Sequence, residues 1–410
     1  MAAPELIQPF RALRPQPEHA AAVAARPYDV VTHQEAVAQA AGNPRSFLHI
    51  SRAEIDCAPD IDPYSPPVYR QSKRAFATLL SDGILLRDEQ PCLYAYRMIM
   101  HGHVQTGVAA AASVDAYITN RVRRHEHTRP AKEQDRVRQI EAVHAHTGPV
   151  LVAHPPSAVI ANILASATEG PAVADAVTVD GTRHQIWPIA DEAMIEAVVR
   201  AFEAFEAIYI ADGHHRSAAA ARFSEQHKEN PSQARFLIVS FPHDTLNVLD
   251  YNRTITDLNG LTPRQLTEQL QAAFTVDALP GLARPEQSGT FSMFLDGHWF
   301  RLTLRAPPAP DAPARARLDV SLLNDRLLGP ILGIGDTRTD PRIDFVGGGR
   351  GLEELERRVR SKDCAVAFAL YPTAFEDVMA VADAGEVMPP KSTWFEPKLA
   401  DGLLSLPIDG

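Results

Sequence analysis

Apolar positions along the chain switch between helical spacing, every three to four residues, and the alternate spacing of strands. The first lines one face of a helix and the second one face of a sheet. In the first 250 residues the helical pattern covers 68–81, ending at Asp82-Gly83, then 133–145, 157–168, 193–206 and 213–227. Strand-like runs fall at 92–99, 104–114, 150–153, 207–211 and 236–241, with 104–114 alternating less cleanly. Beyond Leu261, helices are expected over 263–274, 321–328, 351–361 and 373–382, and a strand over 365–369. Residues 290–295 and 298–304 are β-prone runs on either side of Asp296-Gly297, a favoured two-residue hairpin turn.

Helices, strands and hairpins mixed in this way favour an α+β fold over a doubly wound parallel sheet. No internal repeat or long low-complexity tract interrupts them. Residues 306–313, APPAPDAP, hold four prolines and cannot join a regular element. Because this stretch directly follows the hairpin, it reads as an insertion within a domain rather than a boundary. The expected division is a catalytic or nucleotide-binding domain over 1–250, a second α+β domain over 251–387, and a C-terminal docking tail over 388–410.

Composition narrows the function classes. The 410 residues include 40 Lys and Arg against 51 Asp and Glu, a formal charge of −11. A global acidic balance argues against a protein that coats nucleic acid or an anionic membrane, though it leaves room for a local phosphate site. Cys57, Cys92 and Cys364 are far apart and form no CxxC, which fits a reducing compartment and excludes a disulfide framework. The N-terminal stretch MAAPELIQPFRALRP has no apolar signal core, and no run of 18 apolar residues occurs. A cytoplasmic protein with a small-molecule substrate, no nucleic-acid partner and no membrane association is expected. Oligomeric state is not legible.

The most informative segment is 207–221, AIYIADGHHRSAAAA. An apolar run reads as a buried strand, Asp212-Gly213 as a tight exit with Asp212 as helix N-cap, and His214, His215 and Arg216 as the first helical turn. Unpaired backbone N–H groups at a helix start attract anions, and two imidazoles and a guanidinium there suit a phosphate. The plainer alternative is an Asp cap with histidines on a solvated turn.

A second segment, 121–146, carries seven Arg and Lys against four Asp and Glu, a local excess of three cations. In an extended chain His125 and His127 would point one way and Glu126 the other. Pro130 disfavours helix at Arg129. A loop carboxylate among cations stays charged and can accept a proton. An ion-paired loop leading into a solvated basic helix would look the same.

Two further segments are candidates. In 388–399, MPPKSTWFEPKL, Lys391 suits phosphate contact, while Trp394 and Phe395 suit a hydrophobic latch. In 342–351, RIDFVGGGRG, three glycines permit close backbone approach to a ligand, or simply form a turn. Walker A, HExxH, GxSxG and kinase catalytic-loop signatures are absent. The histidine pairs 101/103, 125/127, 144/146 and 214/215 make a transition-metal site the main rival, a weak one without Asp or Glu at ligand spacing.

Together, ADGHHRSAAAA, RPYDVV (26–31), NPRSFLHISR (43–52), HEHTRPAKEQDR (125–136), HTGPV (146–150), RIDFVGGGRG and MPPKSTWFEPKL resemble, in the same order, the blocks of the DUF1015 family. The resemblance spans essentially the whole chain. It implies kinship with the ParB/sulfiredoxin-like superfamily, in which a short Gly-His/Glu-Arg box at a helix start holds nucleotide phosphates. That superfamily includes a free-serine kinase with a very similar box. The implied fold is a ParB/sulfiredoxin-like mixed core with an additional C-terminal α+β region, which the compact superfamily core lacks.

The expected activity is phosphoryl transfer from a nucleoside tri- or diphosphate, with Mg²⁺, to a small hydroxyl-bearing metabolite such as free serine. Gly213, His214, His215, Arg216, His127, Arg129 and Lys391 would bind phosphate or nucleotide. Glu126 would be the base, His215 a catalytic partner, and Asp212 an alternative base or Mg²⁺ ligand. No organic cofactor is expected. The competing readings are a non-catalytic nucleotide or phosphometabolite sensor, a metal-dependent hydrolase, and a nuclease or DNA-binding protein.

Overall fold

Residues 93–113 show how sequence becomes sheet here. Leu93–Met100 and His103–Ser113 form an antiparallel hairpin, and its short turn places His101 and Gly102 at φ 50° and 81°. Within the second strand, Gly107 and the run 109–112 are nearly all backbone. A Cβ on Gly107 would lie 2.4 Å from the Ser240 carbonyl oxygen and 2.7 Å from the Phe241 ring. Small residues therefore let the neighbouring strand Arg235–Pro242 pack closely, which is why the run alternates poorly yet is buried.

This computed structural model describes residues 5–230 and 233–409, so residues 1–4 of the N-terminal stretch lie outside it. The chain divides into two compact units, Met1–Leu246 with Pro397–Gly410, and Asn247–Glu396. Both are mixed α+β.

The first unit is built on a nine-stranded sheet. In order it runs Val122–Arg123, Ile208–Asp212, Val150–His154, Arg235–Pro242, His103–Ser113, Leu93–Met100, Arg183–Ile189 and Ala174–Val177, with Ile7–Gln8 also paired to His103–Ser113. Ile208–Asp212 is parallel to Val122–Arg123, Arg235–Pro242 is parallel to Val150–His154, and the remaining pairs are antiparallel. Helices Ala158–Ala167 and Glu192–Glu203 contribute Ile160, Leu164, Val198 and Phe202 to the core on the sheet. Helices Pro130–Val143 and His214–Gln226 meet through Val137, Ile140, Ala219 and Phe223, joined by Ile408 from the C-terminus.

Arg183–Ile189 is a strand that the sequence pattern hides, because Pro188 breaks it. Pro188 lies beyond the stretch paired with Ala174–Val177, so its missing N–H leaves no ladder bond unmade on that side.

The second unit is a six-stranded antiparallel sheet in the order Phe274–Leu279, His298–Leu304, Thr290–Leu295, Val366–Leu370, Tyr251–Ile255, Ile343–Gly347. The hairpin at Asp296-Gly297 has the expected strand limits, and both turn residues are left-handed, at φ 49° and 80°. The Pro-rich stretch 306–313 is a loop inside this unit.

Two expected helices differ. Pro263–Leu270 stops early, and Phe274 begins a strand instead. Residues 319–328 split into α-helix Asp319–Leu323 and a wider turn Asn324–Leu328, closed by Gly329 N–H donating to the Asn324 carbonyl. The glycine triplet approaches the chain's own side chains. A Cβ on Gly347 would meet Trp394 at 2.8 Å, and one on Gly348 would meet Asp250 at 2.4 Å. Residues 388–396 belong to this unit, and residues 397–409 to the first.

Candidate functional site

The site lies in the first unit, where strand Ile208–Asp212 ends and helix His214–Gln226 begins. The ladder to Val150–His154 shifts register between Ile210 and Asp212, which twists the strand end. Asp212 closes the strand and is not the helix cap. That place belongs to Gly213, at φ +97°, with no side-chain cap. Glycine is needed there twice over, because a Cβ would also sit 2.9 Å from Arg216 Nε.

Asp212 is instead an electrostatic hub. One carboxylate oxygen lies 2.9 Å from Arg216 Nη2 and the other 3.3 Å from Lys398 Nζ. Burial alone would raise its pKa, but Lys398 and Arg216 outweigh it and hold the carboxyl well below the usual range. With a cation on each oxygen, Asp212 as it stands does not fit a Mg²⁺ ligand. It orients Arg216 and Lys398. Arg216 also donates to the Pro149 carbonyl and lies 3.8 Å from Asp29 Oδ2.

The expected histidine geometry changes. His125 is buried and His127 exposed, because the chain bends at Glu126 and the alternate-facing rule for extended chain does not apply. The rings of His125 and His214 pack edge to face, with centroids 4.5 Å apart. Burial drives the His125 pKa down to about 4, and burial followed by His125 drives that of His214 well below its ordinary value. Both are therefore neutral at pH 7, and the positive charge at this helix start comes from Arg216 and Lys398. His125 Nδ1 and His214 Nε2 are buried without hydrogen-bond partners.

His214 Nδ1 lies 3.7 Å from Glu126 Oε2, and the Glu126 side chain is 42% exposed. The basic helix starts at Pro130, earlier than its apolar pattern suggests, with Arg129 extended as the cap residue. Arg129 N–H donates to His215 Nε2 at 3.1 Å. This bond puts the ring proton of neutral His215 on Nδ1. Burial is the first cause of its lowered pKa.

Neither helix start has a side-chain cap, but Pro130 carries no N–H, the Arg129 N–H is taken by His215, and Lys132 and Glu133 donate to the Arg129 carbonyl, so the backbone donors for an anion belong mainly to the His214 helix start. The structure thus brings together Glu126, Arg129, Asp212, Gly213, His214, His215 and Arg216. Lys391 belongs to the other unit, where its ammonium lies 5.6 Å from the Tyr251 ring centre. Sequence reading missed Asp29, Lys398 and Asp401. The first two fall inside the blocks RPYDVV and MPPKSTWFEPKL, and nothing local marks Asp401. Among the described residues, no three His, Cys, Asp or Glu side chains gather as a metal site. Among them, too, no helix is long and apolar enough to cross a membrane.

Fold and site define a mixed α+β protein with a Gly-His-His-Arg helix start. The chain belongs to the family described as "Protein of unknown function (DUF1015)", whose profile matches residues 7–321. No curated protein matches it. Similar solved structures include a mutant free serine kinase in complex with AMP, at 15% identity and TM-score 0.36, covering 70% of this chain and 86% of that one. Another is a conserved hypothetical protein from Pyrococcus furiosus, at 15% identity and TM-score 0.35, covering 74% and 96%. A third is C-terminally truncated SbnI from Staphylococcus aureus, at 10% identity and TM-score 0.39, covering 73% and 87%.

Proposed function

We propose that the chain is a phosphotransferase that moves the terminal phosphoryl group of a nucleotide to a hydroxyl of a small metabolite, such as free serine. One observation carries this reading: the uncapped start of helix His214–Gln226 lies beside the half-exposed Glu126 carboxylate and is tied to Arg129 by the Arg129–His215 hydrogen bond. Backbone N–H groups and helix dipoles there would take up phosphate charge. The resemblance to the ParB/sulfiredoxin-like superfamily supports the same placement at Gly213–Arg216.

In this scheme the acceptor oxygen attacks the terminal phosphorus and forms the new P–O bond. The bond from that phosphorus to the nucleotide's bridging oxygen breaks, and the nucleotide leaves one phosphate shorter. The hydroxyl proton passes to Glu126. His215 Nδ1–H, together with the backbone N–H groups at the start of helix His214–Gln226, would donate to the transferring oxygens. Arg216 stays tied to Asp212 and shapes the cradle. No step is assigned to a metal.

The test is incubation of purified protein with ATP, ADP or CTP and a panel of hydroxy amino acids. A phosphorylated product is expected, with turnover lowered at least about tenfold in Glu126→Gln and in His215→Ala. Absence of both product and nucleotide binding refutes the reading. The engagement of Arg216 within the chain favours a second reading, a non-catalytic nucleotide sensor. That reading expects no product and nucleotide binding that survives Glu126→Gln.

A further inference from the structure

Among the described residues, three lysine or arginine side chains are buried: Arg216 and Lys398 in the first unit, and Arg253, only 3% exposed, in the second. Arg216 and Lys398 share the carboxylate of Asp212. Arg253 makes no ion pair, although the chain holds 51 acidic residues to choose from. Its Nη1 donates to the Tyr251 carbonyl and its Nη2 to that of Pro390, at 3.5 Å. The rest of the guanidinium fork, Nε–H included, bonds nothing in the chain. A buried cation without a counter-charge is costly, and burial pushes the Arg253 pKa down to about 10.

Strand pairing sets Arg253 between Phe345 and Phe368, and its guanidinium lies 5.3 Å from the Phe345 ring centre. A second cation stands at Tyr251. Lys391 follows Pro390 at a left-handed φ of 57°, and its ammonium lies 5.6 Å from the Tyr251 ring centre without an ion pair. The turn that presents it is fixed, since Ser392 Oγ donates to the Pro389 carbonyl at 2.6 Å and Thr373 Oγ1 to the Ser392 carbonyl at 3.1 Å. Both cations thus meet Tyr251, one at its carbonyl and the other at its ring. Phe345 is only half-buried and Lys391 is exposed, so the cluster reaches the surface on that side.

We infer that Arg253 and Lys391 form an oxyanion site, which takes the carboxylate or phosphate group of a small molecule. A guanidinium fork matches two oxygens of either group, and an ammonium adds a point charge. The missing counter-charge of Arg253 is then supplied by the ligand. All of these residues belong to the second unit, so the site stands whether or not the phosphotransferase reading does.

The experiment is titration of the full chain with inorganic phosphate and with succinate at constant ionic strength, measured by isothermal titration calorimetry. Lys391→Ala removes an exposed side chain that makes no hydrogen bond or ion pair, so it should fold normally. Arg253→Lys keeps the charge and loses the fork. Each titration is repeated in Gly213→Ala, which disables the helix start of the first unit. Expected is saturable binding of at least one of the two anions, at least about tenfold weaker in Lys391→Ala and in Arg253→Lys, and persistent in Gly213→Ala. Phosphate alone or succinate alone, bound in this way, names the group that the site takes. No saturable binding of either anion, binding unaffected in Lys391→Ala, or binding lost in Gly213→Ala overturns the proposal. If Arg253→Lys does not fold, Lys391→Ala decides alone.

Discussion

Asp212→Asn tests the electrostatic hub directly. The amide keeps the shape of the side chain and drops its charge. Lys398 and Arg216, each with a side chain only 8% exposed, then lose their shared counter-charge. Removing one partner of a buried ion pair costs about 3–5 kcal/mol. Two features place this case at the low end. Asp212 is itself 29% exposed, and Arg216 keeps the Pro149 carbonyl and Asp29. A loss of about 3 kcal/mol lowers the unfolding midpoint of a unit this size by roughly 6–12 °C. Scanning calorimetry at neutral pH measures it.

Acid supplies a second arm. Because the folded pKa of Asp212 is depressed, its contribution is fully present above the ordinary carboxylate pKa of about 3.9 and is lost as pH falls through the lower folded value. The gap between wild type and variant should be constant down to about pH 5 and close in stronger acid. A midpoint within about 2 °C of wild type at neutral pH, or a gap that widens on acidification, would refute the reasoning.

Other outcomes follow from neighbouring residues. Gly213→Ala forces a left-handed φ of +97° on a side chain that would meet Arg216, and should cost about 1–3 kcal/mol in a denaturant melt, with nucleotide binding weakened. Asp401 behaves oppositely to Asp212, since burial, partly offset by Arg216, pushes its pKa up to about 7. Its contribution to stability is present below about pH 4 and is lost as pH rises towards about 7. Asp401→Asn should therefore leave the midpoint unchanged near pH 4 and raise it by several degrees above about pH 7, as thermal melts across that range would show.

Local chemistry made much of this legible. The Asp296-Gly297 hairpin, the strand ahead of Asp212 and the helix after Gly213 are each written in a few consecutive residues, because turn conformation and apolar periodicity are local properties. Arg183–Ile189 was hidden because Pro188 is a strand breaker everywhere except where a strand has one neighbour, and neighbours are a tertiary fact.

The candidate site divides in the same way. Consecutive residues are enough to read Gly213, His214, His215 and Arg216 as the opening of a helix, with Glu126 and Arg129 ahead of another. Folding alone brings the two starts together, makes His125 and His214 neutral, and carries Lys398 to Asp212 and Asp401 to Arg216 from the far end of the chain. Charge state depends on desolvation and on partners distant in sequence, and neither exists until the chain has folded.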